Sequence, residues 1–169
     1  MNNRKTAASV FITLCILCAA HAVYYYPQLP EVMAGHFGES GQADGWSAKT
    51  DLTAMYFITI LFNAAVFMGL GSAIRKLPNW TINIPNRDYW LTGDKREKTL
   101  QTMSNWLLWV GSLTMLLFLD MYHQLVRVNL RMAPALEHHW ISIGAYLFLL
   151  GLWSVLILGK FRRIDDLNR

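Results

Sequence analysis

The chain alternates between four long apolar segments and shorter polar connections. The apolar segments lie at about residues 7–26, 53–75, 104–126 and 140–160. Each has about 20 residues, which is the length that an α-helix needs to cross roughly 30 Å of hydrocarbon. The pattern predicts an all-α membrane protein in which four transmembrane helices form one bundle.

The composition supports this assignment. Hydrophobic residues make up 54% of the chain and aromatic residues 13%, which is a larger apolar share than soluble domains usually have. With four spans in 169 residues the connections are short, so we expect a single transmembrane domain over residues 1–169. The lipid bilayer is its first expected partner.

The basic residues are divided unequally between the two ends of the predicted bundle. If the N-terminus is cytoplasmic, 12 of the 15 Lys and Arg residues lie on the cytoplasmic side, the last of them at Arg169. This positive-inside distribution predicts cytoplasmic termini, an outer loop at residues 27–52 and a cytoplasmic connection at residues 76–103. It also explains the net charge of +4 without a nucleic-acid partner, since these residues act as topology determinants.

The first apolar segment has a second interpretation. Basic residues near the N-terminus, an apolar stretch and the small residues around His21 imitate a secretory signal peptide with its cleavage site. The apolar run continues as far as Tyr26, however. We therefore interpret the segment as a retained transmembrane helix.

The outer loop is rich in glycine, with Gly35, Gly38, Gly41 and Gly45 in 11 residues. This density indicates tight turns with positive φ. Because the loop also contains large apolar residues such as Phe37, we expect it to fold back and cap the outer end of the bundle.

Two local patterns predict helix packing and a helix start. Ala65, Gly69 and Ala73 recur at every fourth residue, a spacing that allows close contact between transmembrane helices. Asp94 followed by Glu97 resembles a capping box, so we expect the third span to begin as a longer helix near residue 95.

A set of residues in the outer loop and the cytoplasmic connection forms a pattern that other membrane proteins share: Pro30, His36-Phe37, Gly41, Asp44-Gly45, Lys49, Pro85 and Tyr89-Trp90-Leu91. On these residues, the segment 20–100 resembles a bacterial membrane domain of unknown function that forms the N-terminal part of SdpI-type immunity and signalling proteins. The resemblance implies a bacterial inner-membrane location and a role in toxin immunity or sensing. The part with Pro85 and Tyr89-Trp90-Leu91 resembles the cytoplasmic segment of short stand-alone members. An Arg-Thr-Pro-Trp stretch found further along SdpI-type proteins has no counterpart in residues 100–169, so the immunity role is expected only at the level of the family.

Ionisable residues that carry chemistry concentrate at the predicted outer end. All five histidines fall there: His21, His36, His123, His138 and His139. Asp120 is the one carboxylate inside a predicted span, and such a group requires a partner in hydrocarbon. Since Asp120 and His123 are three residues apart, they share a helix face, which we expect to line the bundle interior or a wet outer vestibule.

Three interpretations of Asp120 remain open. It can belong to a structural network with His123, Arg127 or tyrosines of the first helix. It can be a ligand of a divalent metal, with zinc favoured over copper or iron because the donors are nitrogen and oxygen. It can also titrate in a proton or small-solute pathway. The candidate metal ligands are His36, Glu39, Asp120, His123, His138 and His139.

The function expected from these observations is binding or sensing at the outer face. The expected partner is a peptide, another membrane protein or a second copy of the chain. The alternative is a metal-dependent membrane enzyme, or a subunit of a membrane enzyme or transport complex, that uses Asp120 and His123.

Overall fold

The computed structural model describes residues 3–163, which are mostly helical. Within this range four helices are long and apolar enough to cross a membrane, as predicted. Arg169, which was counted among the basic residues of the tail, lies outside the described residues. The helices are α1 (Asn3–Tyr25), α2 (Lys49–Ala73), the short α3 (Arg87–Trp90), α4 (Lys95–Asn129) and α5 (His139–Arg162).

The expectation of an all-α chain is wrong for residues 32–48. The predicted outer loop contains a β-hairpin whose antiparallel strands are β1 (Val32–Phe37) and β2 (Ala43–Ala48). The register is irregular beyond Ala34, which is where glycines interrupt both strands. The term hairpin end denotes the hairpin together with the end of the bundle that it covers. The opposite end of the bundle, where α4 begins, is called the loop end.

Helix α4 occupies the centre of the bundle, because it packs against α1, α2 and α5. Phe11, Cys18 and Met115 are fully buried in the core that α1, α2 and α4 form. Tyr56 of α2 stacks on Tyr122 of α4 with ring centroids 3.9 Å apart. In contrast, α5 lies against α4 and none of the residues in its most apolar window is buried.

The small residues that bring helices together are not the predicted ones. A Cβ atom at Gly69 would meet nothing within 4 Å. The close approach occurs at Gly71 instead, whose carbonyl accepts a hydrogen bond of 2.6 Å from the Ser104 hydroxyl of α4. Gly111 is a second contact point, since its Cβ would lie 2.8 Å from atoms of Phe11 and Phe67.

The predicted extension of the third span is confirmed, but its predicted cap is not. Helix α4 has 35 residues, so at 1.5 Å per residue it is about 50 Å long and exceeds the hydrocarbon thickness. Asp94 occupies the N-cap position without a side-chain hydrogen bond. The Glu97 side chain bonds to Arg75 instead of reaching back to the cap.

Polar contacts fasten both ends of α5. At the loop end, the Asn86 amide donates to the carbonyls of Phe161 and Arg162, each at 3.1 Å, and the Trp90 indole donates to Phe161 at 2.8 Å. These bonds satisfy carbonyls that the last turn of a helix leaves without partners. At the hairpin end, the Trp140 indole donates to the Glu39 carbonyl at 2.9 Å.

Candidate functional site

The hairpin is held on α4 by one asparagine side chain. The Ala34 amide donates to Asn129 Oδ1 at 2.7 Å, and Asn129 Nδ2 donates to the Ala34 carbonyl at 3.0 Å. The asparagine amide thus pairs with β1 as a neighbouring strand would. Met33, the residue before Ala34, is fully buried in the bundle core, so β1 is anchored by both polar and apolar contacts.

The turn of the hairpin contacts the connection between α4 and α5. The Leu136 amide donates to the Gly41 carbonyl at 2.8 Å. Gly41 has a φ of +77°, and a Cβ at this position would lie 2.6 Å from the Leu136 carbonyl oxygen. Glycine is required here for both reasons, because other residues rarely adopt this φ and no side chain fits.

Lys49 joins the base of the hairpin to the end of α1. Its side chain is buried, and its ammonium donates to the Leu29 carbonyl at 3.3 Å and to Glu31 Oε1 at 2.9 Å. The same ammonium lies 4.7 Å from the centre of the Tyr26 ring, within cation–π distance. A buried lysine with three partners is a structural clamp, a role that its position in a polar loop did not indicate.

A groove of about 290 Å³ lies directly beneath the hairpin, between α2 and α4. Its walls are mainly apolar. Two of its few hydroxyl groups donate hydrogen bonds to backbone carbonyls: the Tyr56 hydroxyl to Phe118 at 3.4 Å and the Thr59 hydroxyl to Met55 at 2.9 Å. The lining residues are Gly35, Phe37, Leu52, Met55, Tyr56, Thr59, Phe118, Met121, Tyr122, Leu125 and Leu136.

The exposed surface of the hairpin segment is acidic. Residues 27–52 contain four carboxylates and one basic residue, Lys49, which is buried. Glu39, Asp44 and Asp51 are exposed, and no Lys or Arg forms a salt bridge with them in the described part of the chain. Asp44 instead contacts the His36 ring, with Oδ1 2.5 Å from Nδ1.

Asp120 does not lie in the bundle interior, which was one of the two settings expected for it. Its side chain is exposed beside a second, largely apolar groove of about 200 Å³ between α4 and α5. The Oδ2 atom accepts hydrogen bonds from the Ser142 hydroxyl at 2.6 Å and from the Gln124 amide at 2.7 Å. The structural interpretation named His123, Arg127 and the tyrosines of α1 as partners of Asp120. In the described residues, none of them bonds to Asp120.

His123 faces α1 and forms a pair with His21. His123 Nδ1 lies 3.1 Å from His21 Nε2, so one ring donates its N–H to the lone pair of the other. The rings of Tyr25 and Tyr122 pack around His21. The predicted polar face of α4 is therefore divided, since Asp120 bonds to α5 and His123 bonds to α1.

The remaining predicted metal ligands are engaged separately. His139 Nδ1 lies 2.7 Å from the Leu136 carbonyl, the His138 backbone amide donates to Gln124 at 3.1 Å, and Glu39 is in the hairpin turn. Across residues 3–163, no group of three or more His, Cys, Asp or Glu side chains is close enough to hold a metal ion. The structure therefore does not assemble the ligand set that the sequence suggested.

Sequence reasoning missed the features that define the hairpin end. It did not identify the groove, the burial of Lys49, the role of Asn129 or the pairing of His21 with His123. These depend on contacts between residues about 20 to 100 positions apart. The glycine density was the one available signal, and it indicated the tight turn but not the strands.

Together these features define a multi-pass membrane protein with an apolar groove under a hairpin cap. Residues 13–60 match the domain of unknown function DUF1648. The matched segment includes most of α1, the whole hairpin and the first half of α2, and it supplies one wall and the roof of the groove. No curated protein and no solved structure matches the chain.

Proposed function

We propose that the protein is a non-enzymatic binding protein that takes a cationic amphipathic peptide at the hairpin end. In this proposal the hairpin end is extracytoplasmic in a bacterial inner membrane. The distribution of Lys and Arg supports this orientation, and the resemblance to SdpI-type proteins supports the location. Binding a ligand at the outer face agrees with the immunity or sensing role that this resemblance implies.

The observation that carries the proposal is the combination of an apolar groove with a covering hairpin segment in which Glu39, Asp44 and Asp51 are exposed and the one basic residue is buried. Met55 and Thr59, which line the groove, are 6 and 10 residues beyond Lys49, the first residue of α2. At 1.5 Å per residue they lie about 10 to 15 Å below the helix start, within the depth of the bilayer. The groove therefore opens where the apolar face of a membrane-bound helix would be.

The carboxylates distinguish a peptide from a lipid as the occupant. An acyl chain would fill the groove, but the phosphate of its headgroup would then lie near Asp51, one turn before Met55, and like charges repel. A peptide with Lys or Arg on its polar face would instead gain favourable interactions with Glu39, Asp44 and Asp51. The charge pattern thus favours a cationic amphipathic peptide.

The hairpin preorganises the groove for binding. The Asn129, Lys49 and Leu136 contacts fix the hairpin before a ligand arrives, so little ordering is needed when the peptide binds. Such preorganisation lowers the entropic cost of association. Gly35 contributes as well, because a Cβ at this position would lie 2.6 Å from Leu52 Cδ2 and would displace the groove wall.

The proposal is tested by titrating a fluorescent amphipathic peptide of Leu and Lys against the protein in phosphatidylcholine nanodiscs, with empty nanodiscs as the reference. Met55→Trp should weaken binding by filling the groove. The Asp44→Asn/Asp51→Asn double variant should weaken it about fivefold, since exposed ion pairs contribute roughly 0.5 kcal/mol each, and this difference should shrink at high salt.

Asp88→Asn is the matched control, because this exposed carboxylate lies at the loop end. It should bind the peptide as the unmodified protein does. Binding equal to that of empty nanodiscs would contradict the proposal. An anionic peptide of the same amphipathicity that bound equally well would also contradict it, because the carboxylates would then have no role.

The alternative of a metal-dependent membrane enzyme, or of a subunit of an enzyme or transport complex, has no comparable support. Asp120 and His123, on which it depended, bond to different helices. We therefore propose neither a catalytic reaction nor a zinc site.

A further inference from the structure

Three lysines line a cleft at the loop end. It has a volume of about 380 Å³ and lies between the start of α4, the short helix α3 and the end of α5. Lys95 and Lys98 line it from α4 and Lys160 lines it from α5. Two of these residues are three positions apart on one helix, and the third comes from 62 residues further along the chain, so the fold brings the charges together.

Within residues 3–163, these lysines have no acidic partner. Lys95 lies over the Tyr89 ring, 3.4 Å from its centre, and none of the three forms a salt bridge in the described part of the chain. Of the nearby acids, Glu97 pairs with Arg75 and Asp88 with Arg87, whereas Asp94 is exposed next to Lys95 without a salt bridge to it. No Asp or Glu is among the residues that line the cleft. The lining of the cleft therefore carries three positive charges and no negative one.

The other polar groups in the cleft already have partners. The hydroxyl of Thr99 donates to the Trp90 carbonyl at 3.0 Å, and that of Thr102 donates to the Lys98 carbonyl at 2.9 Å. The Trp90 indole donates to Phe161. The three ammonium groups and the Tyr89 hydroxyl are left as donors, and they fit an anion whose oxygens only accept hydrogen bonds, as a phosphate diester does.

The position of the cleft identifies the source of that phosphate. Lys160 is two residues before the end of α5, where the apolar part of the helix reaches the bilayer surface. One turn deeper is Leu156, and one further turn deeper is Leu152, both exposed on the same face. A ligand with phosphate in the cleft can therefore extend acyl chains along this face of α5.

We propose that the cleft is a specific site for the headgroup of an anionic phospholipid from the membrane leaflet at the loop end. Clusters of basic side chains at this depth attract anionic lipids, with about 1 kcal/mol for each Lys or Arg. A headgroup in the site would contact α3, α4 and α5, because the lining residues come from all three. It is independent of the peptide groove, which lies at the hairpin end.

Native mass spectrometry of protein released from nanodiscs of equal parts phosphatidylglycerol and phosphatidylcholine tests this site. The unmodified protein should retain one phosphatidylglycerol in preference to phosphatidylcholine. In the Lys98→Gln/Lys160→Gln variant this affinity should fall on the order of 20- to 30-fold, from two lost lysine contacts. Lys76→Gln is the matched control, because Lys76 is exposed at the same end but does not line the cleft.

Three outcomes would overturn the proposal. Equal retention of the two lipids would show that the cleft does not select anionic headgroups. A loss of about fivefold in Lys76→Gln, which removes one charge where the test variant removes two, would show that the effect is one of net charge. Displacement of phosphatidylglycerol by millimolar inorganic phosphate would assign the cleft to soluble phosphate. Circular dichroism of each variant must first show unchanged helicity, and Lys98→Arg/Lys160→Arg should restore retention if charge in the cleft is the cause.

Discussion

At the scale of single residues, the hairpin end depends on three residues that are polar or small. Asn129 extends the hydrogen-bonding edge of β1 with its amide, and Lys49 satisfies a carbonyl and a carboxylate from the segment after α1. Gly41 acts by having no side chain at all. Each of these residues is polar or small and is found in a connection or at a helix end, so the pattern of apolar positions does not reveal its role.

Gly41 and Gly93 provide a matched pair for measuring the hairpin contact. Both have positive φ, but a Cβ at Gly93 would meet nothing within 4 Å, whereas one at Gly41 would collide with Leu136. Gly93→Ala should therefore cost only the backbone penalty of about 1 kcal/mol. Gly41→Ala should cost about 1–3 kcal/mol more, because the turn must move away from the α4–α5 connection.

The measurement is the thermal unfolding midpoint of each variant in the same detergent, combined with hydrogen exchange of residues 32–48. Faster exchange in the hairpin should accompany Gly41→Ala and not Gly93→Ala. Equal effects of the two substitutions on both readouts would show that the Gly41–Leu136 contact contributes nothing to the cap.

At the scale of elements, the composition of the chain predicts where the helices occur. It does not predict which helix faces are in contact. The four long helices begin and end within about nine residues of the predicted spans, and the largest difference is at the polar start of α4. The predicted packing motif at Ala65, Gly69 and Ala73 was wrong because in a membrane almost every helix face is apolar. Small residues on a face therefore permit a close contact without determining which face makes it.

Gly71 and Gly69 test this point directly. Gly71→Leu should destabilise the contact between α2 and α4 by about 1–3 kcal/mol, since a Cβ alone would lie 3.3 Å from Ser104 Oγ and a larger side chain overpacks the interface. Gly69→Leu should have little effect, because its side chain would point into lipid. Thermal unfolding in detergent is the measurement, and a larger loss for Gly69→Leu would place the helix contact at the predicted motif.

At the scale of the whole molecule, the two ends differ in charge and in what they can bind. The hairpin end combines an apolar groove with exposed carboxylates, and the loop end combines a cleft with three lysines. Both proposals require the two ends to lie on opposite sides of the membrane, which any bundle of membrane-spanning helices provides.

Labelling of single cysteines determines which end is outside. Ser40→Cys places a thiol in the hairpin turn, and Lys76→Cys places one at the loop end, whereas Cys15 and Cys18 are within α1. In intact spheroplasts, a membrane-impermeant maleimide should modify the first variant and not the second until the membrane is permeabilised. The opposite result would reverse the topology that the basic residues predict.

The sequence by itself determined the number, length and approximate limits of the membrane helices. The physical reason is that hydrocarbon demands about 20 consecutive apolar residues whatever surrounds them. It also predicted tight turns with positive φ in the glycine-rich segment after α1, and this conformation occurs at Gly41 but not at Gly35, Gly38 or Gly45.

Only the tertiary structure decided which polar groups meet. Asp120 and His123 are neighbours on α4 and were expected to act together, yet one bonds to α5 and the other to His21 of α1. The reason is that α4 is surrounded by other helices, so even adjacent positions on its surface face different partners. The groove under the hairpin and the cleft at the loop end arise in the same way, from side chains that three-dimensional packing alone brings together.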